Sequence, residues 1–366
     1  MPLTAGTLLG LALALGMPRI AAATPSPRTI KVSDGIYLFI TAPHSDVGLD
    51  GNAVAIVSDS GVLVFDANGT PSAARAVLGE IRRLTRQPVR YLVLSHWHWD
   101  HWYGAEVYRD AYPGIEIISH RVTRALMLGP ALAFNRPGLD EQLPGHIEAV
   151  AARIAELVKT DPRSAELPRL RAHLALDRDF LAEKRGARHT VATLTFDDSL
   201  TIHLGARRIE VLHYDRAVTP GDAFLYLPDD QVLITGDLLV NPITFALGSY
   251  PGGWIATLAR MDSLATRVIV PGHGEPLHDK ALLEATLATL RELRRLGLAA
   301  RARGLSPDSA RGAIMDSVRP LMARITHDDP GLNQAFAIYM VDWYLHRVYD
   351  EAAGPLSDSI AAIPRE

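Results

Sequence analysis

Cysteine is absent from all 366 residues, so the chain forms no disulfide and offers no thiolate to a metal. Any metal must then be held by histidine and carboxylate side chains. Charge of one sign is also lacking. Lys and Arg total 37 against 41 for Asp and Glu, a net charge of -4, which leaves no basic footprint for a polyanion and excludes nucleic acid as the expected partner. Long apolar runs are missing too. Beyond the N-terminus nothing reaches the ~18 uninterrupted apolar residues of a membrane span, so no stable span is expected once a leader is removed. The run from Leu8 to Gly16 is itself too short to span a membrane, and Ala21-Ala22-Ala23 follows it ahead of a Pro/Ser stretch. It lacks a basic n-region but reads as a signal peptide over residues 1–23, which places the mature chain, from residue 24 onward, in the periplasm or outside the cell.

A hydrophobic content of 48% over this length supports a large core. Short apolar runs at 36–40, 53–57 and 62–66 alternate with turn signals and read as strands, the last two forming a hairpin. Thr70-Pro71 starts a helix whose Ala74, Val77, Leu78, Ile81 and Leu84 recur on one face. Val89 to Leu94 is a nearly all-apolar strand. Strand, helix, strand in that order implies a sheet covered on both faces, with its chemistry on loops at the strand ends. Residues 122–188 have a helical pattern, with Ile147, Val150, Ile154 and Leu157 on one side, and read as an insertion over the site. Strand character returns between 192 and 235 and at 268–270, and the stretch from about 280 to the end is a helical extension.

Directly after Leu94 comes Ser95-His96-Trp97-His98-Trp99-Asp100-His101, four potential ligands within six residues. Two histidines one residue apart at a strand end can turn both imidazoles to one ion, roughly 2.0 to 2.1 Å away for zinc. Asp100 and His101 lie past the turn and face a second point, and paired metals in hydrolases stand about 3.5 to 4 Å apart. Another histidine, His273, ends the strand at 268–270 within Pro271-Gly272-His273-Gly274.

On these residues the chain resembles the metallo-β-lactamase superfamily, whose H-x-H-x-D-H signature stands as His96 to His101. Gly51-Asn52, Phe65-Asp66, Gly236-Asp237 and Gly272-His273-Gly274 are similar to its other landmarks, over roughly residues 34 to 276. The resemblance implies an α+β fold, a four-layer αβ/βα sandwich spanning 24–366, and a metal-dependent hydrolase. It is nearer the glyoxalase II-like branch than true β-lactamases, because that branch carries a bridging aspartate. By that resemblance His96 and His98 hold a first metal, Asp100, His101 and His273 a second, and Asp237 bridges them. The implied cofactor is zinc, one or two ions per chain, with iron or manganese as alternatives. Asp100 and Asp237 are the implied catalytic carboxylates, and the substrate is a small molecule with an ester, thioester, lactone, amide or phosphodiester bond.

One family position departs. Where the family writes His-Thr-x-Gly-Asp, this chain has Val218-Thr219-Pro220-Gly221-Asp222, so the first metal lacks its third histidine. His213 is the nearest substitute, some 16 Å away at about 3.3 Å per extended residue. Three outcomes are open: a two-metal enzyme with water at the vacant position, a one-metal enzyme, or a metal-impaired relative that binds without catalysis. His44, Trp102 and Tyr250 are candidates for contacting substrate. Each also has a plain structural reading, as an exposed loop residue or as core packing. Oligomeric state is not legible in the chain.

Overall fold

A computed structural model describes residues 26–42 and 50–359. The leader and its cleavage site at Ala23, and the loop carrying His44, lie outside these residues.

The first sheet contains β1 (Arg28–Ser33), β2 (Ile36–Ile40), β3 (Ala53–Ser58), β4 (Gly61–Phe65), β5 (Val89–Val93), β6 (Glu116–His120) and β7 (Leu194–Phe196), in that spatial order. Its pairs are antiparallel from β1 to β4 and parallel from β4 to β7. The second sheet is ordered β12 (Val268–Val270), β11 (Val232–Ile234), β10 (Phe224–Leu227), β9 (Arg207–Leu212), β8 (Ser199–Leu204).

The alternation of side chains along a strand sorts the cores. Val54 and Ile56 of β3 face inward to meet Leu225, Leu227, Ile234 and Val270 of the opposite sheet. Ala53 and Ala55 face outward, joining Ala74, Val77, Leu78 and Ile81 of α1 (Pro71–Leu84). Thr70 caps α1 by accepting the Ala73 N–H, and Pro71 follows at the first turn. A short α2 (Ala105–Ala111) packs beside α1. The outer face of the second sheet is covered by α7 (Pro251–Asp262), α8 (Ala281–Ala302), α9 (Pro307–Thr326) and α11 (Trp343–Ala353), with α10 (Pro330–Ala335) between the last two. The result is helix, sheet, sheet, helix: four layers, as the sequence implied.

Between β6 and β7 the chain is helical from Arg121 to Gly186: α3 (Arg121–Met127), α4 (Pro130–Pro137), α5 (Leu143–Thr160) and α6 (Glu166–Gly186). Leu143, Ile147 and Phe180 form a small separate cluster that packs against Trp99. The insertion therefore reaches the histidine loop itself. No described helix is long and apolar enough to cross a membrane.

Candidate metal centre

The ends of β5, β11 and β12 lie together at one edge of the sandwich, joined by the backbone. The Ala223 N–H donates to the Ser95 carbonyl at 2.7 Å, and the Asn52 N–H donates to Gly272 at 2.7 Å. The Asn52 amide also donates to the Pro271 and Gly274 carbonyls, both at 2.9 Å. Loops from both halves are thus fixed against each other before any side chain enters the site. Two glycines permit the closeness. A Cβ at Gly51 would sit 2.5 Å from the His101 ring, and one at Gly272 would sit 2.1 Å from Asp237 Oδ1.

Asp100, His101 and His273 bring one ligand atom each within 4.8 Å of one another, and His96, His98 and Asp237 do the same. Asp237 spans the two groups. Its Oδ1 lies 3.2 Å from His101 Nε2 and 3.4 Å from His273 Nε2, while its Oδ2 lies 3.6 Å from His96 Nε2 and 3.9 Å from His98 Nδ1. Asp100 Oδ2 is 3.1 Å from His273 Nε2 and 3.4 Å from His101 Nε2.

These spacings test the fit of a cation. Two atoms bound to one tetrahedral ion at ~2.0 to 2.1 Å stand roughly 3.3 Å apart. The group around Asp100, His101, His273 and Asp237 Oδ1 matches that edge length, whereas the group around His96 and His98 is wider. Nε2 of His96, Nε2 of His101 and Oδ1 of Asp237 are buried yet make no hydrogen bond of good geometry. Buried polar atoms left unpaired are costly, and a shared cation satisfies them. The residues therefore fit a divalent ion.

A supporting network sets the tautomers. Asp66 Oδ2 accepts from His101 Nδ1 at 2.7 Å and from the Ser95 hydroxyl at 2.7 Å. The Ser95 oxygen in turn lies 2.8 Å from His96 Nδ1 and, having given its proton to Asp66, accepts from that nitrogen. One carboxylate thereby turns Nε2 of both His96 and His101 toward the centre. Asp66 and Ser95 were not among the residues singled out as functional. The available signal was an aspartate closing the all-apolar strand 62–66, with a hydroxyl directly before the first histidine.

Electrostatics follow from this packing. Burial holds the His96 imidazole well below its ordinary value, helped by the neighbouring His101 and His98, which keeps it neutral. Burial also opposes charge on His101, but Asp237, Asp100 and Asp66 outweigh it and raise it well above the usual range. His273 is likewise pushed up to about 9, burial being overcome by Asp237 and Asp100. Asp100 and Asp237, though buried, are held well below the carboxylate range, Asp100 by His101 and His273 and Asp237 by the same pair.

The other candidates are placed differently. Trp102 is 0% exposed, packs in the outer core of the first sheet and donates its indole N–H to the Trp97 carbonyl, so it offers no surface to a substrate. Trp97 and Tyr103 belong to the same core. Tyr250 is buried ahead of α7, and its hydroxyl donates to the Ser357 carbonyl in the C-terminal segment. Both side chains are held by packing and these hydrogen bonds, and neither is among the residues that converge as the metal-ligand groups. Val218 is 1% exposed within the apolar cluster that includes Phe224 and Trp254, and supplies no ligand atom. His213 does not fill the gap. Its Nδ1 lies 2.8 Å from the Asp222 carbonyl oxygen and its ring stacks on His120, centroids 4.1 Å apart.

This arrangement belongs to a known class. The family model of the metallo-beta-lactamase superfamily matches residues 46–273, and the chain belongs to that superfamily. A linear primary-alkylsulfatase of Pseudomonas sp. (strain ATCC 19151) is 24% identical over 254 residues, covering 65% of this chain and 44% of that protein. The chain thus spans less than half of that relative. Among solved structures, the DIM-1 metallo-beta-lactamase exposed to ceftazidime superposes with a TM-score of 0.51 at 17% identity, covering 74% of this chain and 98% of its own. A metallo-beta-lactamase from Pontibacter korlensis gives 0.50 at 16% identity, covering 72% and 99%. At these identities the likeness speaks to fold alone.

Proposed function

We propose that the chain is a zinc-dependent hydrolase in which Asp100, His101, His273 and Asp237 hold the tighter ion. His96, His98 and Asp237 hold a weaker one. The observation that carries this is the division of Asp237, one carboxylate oxygen toward each histidine group at the distances above. A bound cation would supply Lewis-acid polarisation of the scissile bond and hydroxide near neutral pH. Asp100 would give Oδ2 to the ion beside His101 and His273 and leave its other carboxylate oxygen to orient the attacking water or accept its proton. Asp66 and Ser95 keep the imidazoles from rotating as charge develops.

The small-molecule substrate carries an ester, thioester, lactone, amide or phosphodiester bond, and the alkylsulfatase relative adds sulfate esters to the panel. Metal analysis of the purified chain tests the reading, with one to two zinc ions per chain expected, followed by hydrolysis assays across those bonds. A chain that takes up no metal supports instead a binding relative that kept the fold, the reading that Val218 favours.

A further inference from the structure

Lys184 on α6 is a buried amine that this mechanism does not use. It is 4% exposed, where lysine is almost never buried without a partner. Its ammonium lies 3.1 Å from the Trp99 ring centroid, 4.2 Å from that of Tyr103 and 5.4 Å from that of Phe180. Among the described residues no carboxylate stands within ion-pair distance of it. Aromatic faces compensate a desolvated cation only in part. Burial accordingly pulls the amine well below the usual lysine range, while Asp100 and Asp50 work in the opposite direction.

Beside this amine is a cavity of about 120 Å³, which Lys184 lines together with Trp99, Asn135, Leu139, Leu143 and Phe180. Its walls are mostly apolar, with Lys184 and Asn135 as the polar side chains among them, and the Asn135 amide donates to the Tyr103 hydroxyl at 3.3 Å. Trp99 opens the short 3-10 turn that continues into Asp100 and His101, so the cavity shares a wall with the metal-ligand loop. The remaining wall residues come from the insertion.

We propose that the insertion builds a substrate subsite for an organic anion on a short apolar arm, with Lys184 pairing the anion and Leu139, Leu143 and Phe180 packing the arm. The inference rests on the hydrolase reading for its place in catalysis, but not for its binding. An anion entering here supplies the partner that the fold withholds from Lys184, and an amine or neutral ligand of equal size does not. Trp99, adjacent to Asp100, puts a ligand anchored in the cavity beside the metal-ligand loop.

The test is calorimetric titration of hexanoate, hexan-1-ol and hexylamine into the full-length protein, zinc-loaded and chelator-treated. Wild type is expected to bind hexanoate in both forms and to prefer it over the other two. Lys184→Met should weaken hexanoate binding by at least about tenfold, the scale of a lost charged hydrogen bond, while Lys184→Arg retains it. Should Lys184→Met fail to fold, Leu143→Trp fills the cavity while leaving the amine in place, and it is expected to exclude hexanoate. Unchanged hexanoate affinity in these variants, equal binding of hexylamine, or binding that needs zinc and ignores Lys184 overturns the proposal. A chain that takes up no zinc on loading yet binds hexanoate through Lys184 would instead remove the hydrolase reading and leave the subsite standing.

Discussion

Asp66 accepts the Nδ1 proton of His101 at 2.7 Å, with both side chains almost fully buried. The two residues are 35 positions apart, and the contact joins the end of β4 to the loop after β5. Asp66 adopts a left-handed backbone, φ 61°, which lets the chain leave β4 with the carboxylate turned back over the neighbouring strand end. Its other contacts, the Ser95 N–H and hydroxyl, bring His96 under the same control.

Replacing Asp66 by Asn removes the charge that fixes His101 while keeping the shape. Loss of such a partner to a ligand typically costs about 10 to 100-fold in metal affinity. Competition against a chromophoric chelator should therefore show zinc held that much more weakly in Asp66→Asn, with the folded baseline intact. Equal affinity in the two proteins would mean that His101 needs no orienting partner.

Gly272→Ala tests the packing of the centre from the other side. The added methyl would stand 2.1 Å from Asp237 Oδ1 and 2.6 Å from the Gly236 carbonyl carbon, and the latter, being backbone, cannot swing away. Overpacking of this kind costs about 1 to 3 kcal/mol, and here the displaced atom is the oxygen shared with His101 and His273. Both melting temperature and bound zinc should fall. A variant with native zinc content would show that Asp237 tolerates displacement.

The histidine loop and the strands around it were legible because β5, β11 and β12 are apolar runs that end abruptly in His, Asp and Gly. Less was legible where direction matters. Trp102 and Tyr250 stand close in sequence to the motif and to Asp237, but nothing in the chain says that the first folds under its own loop or that the second bonds to Ser357. Asp66 reads as the end of a strand and as part of a family landmark, but its task depends on a neighbour brought in by parallel pairing of β4 with β5. Lys184 was hidden for a similar reason. The helix that carries it is rich in charge, with Lys184 and Arg185 in its last turn, so its one buried amine looks like any solvated lysine.

His120 supplies a pH dependence away from the metal ligands. It is buried at the start of α3, where its Nδ1 accepts the Val122 N–H at 3.4 Å, and its ring stacks on His213. Burial first, then His213 and Arg121, bring it down to about 4, with Asp197 acting the other way. The folded state thus binds fewer protons than the unfolded state between that value and the ordinary 6.5. Stability from this group is complete above the unfolded value and is lost as pH falls toward the folded one. Urea midpoints at about pH 7 and about pH 4.5 should drop further for wild type than for His120→Asn, whose amide oxygen still caps α3. Parallel losses would assign the acid sensitivity to other groups.

Val218 decides how the weaker half of the centre is read. Its side chain is buried among apolar neighbours, so an imidazole placed there without a partner should cost about 1 to 3 kcal/mol. The penalty is conditional. If position 218 borders the His96 and His98 group, zinc supplies the missing partner, and the melting temperature of Val218→His should recover to wild type or above as zinc content rises. In the metal-free state the variant should melt below wild type. Scans with and without saturating zinc, paired with metal analysis, separate the cases. A variant that stays depressed with zinc present would show that residue 218 faces the Phe224 and Trp254 core alone, and the first ion's fourth position would then belong to solvent.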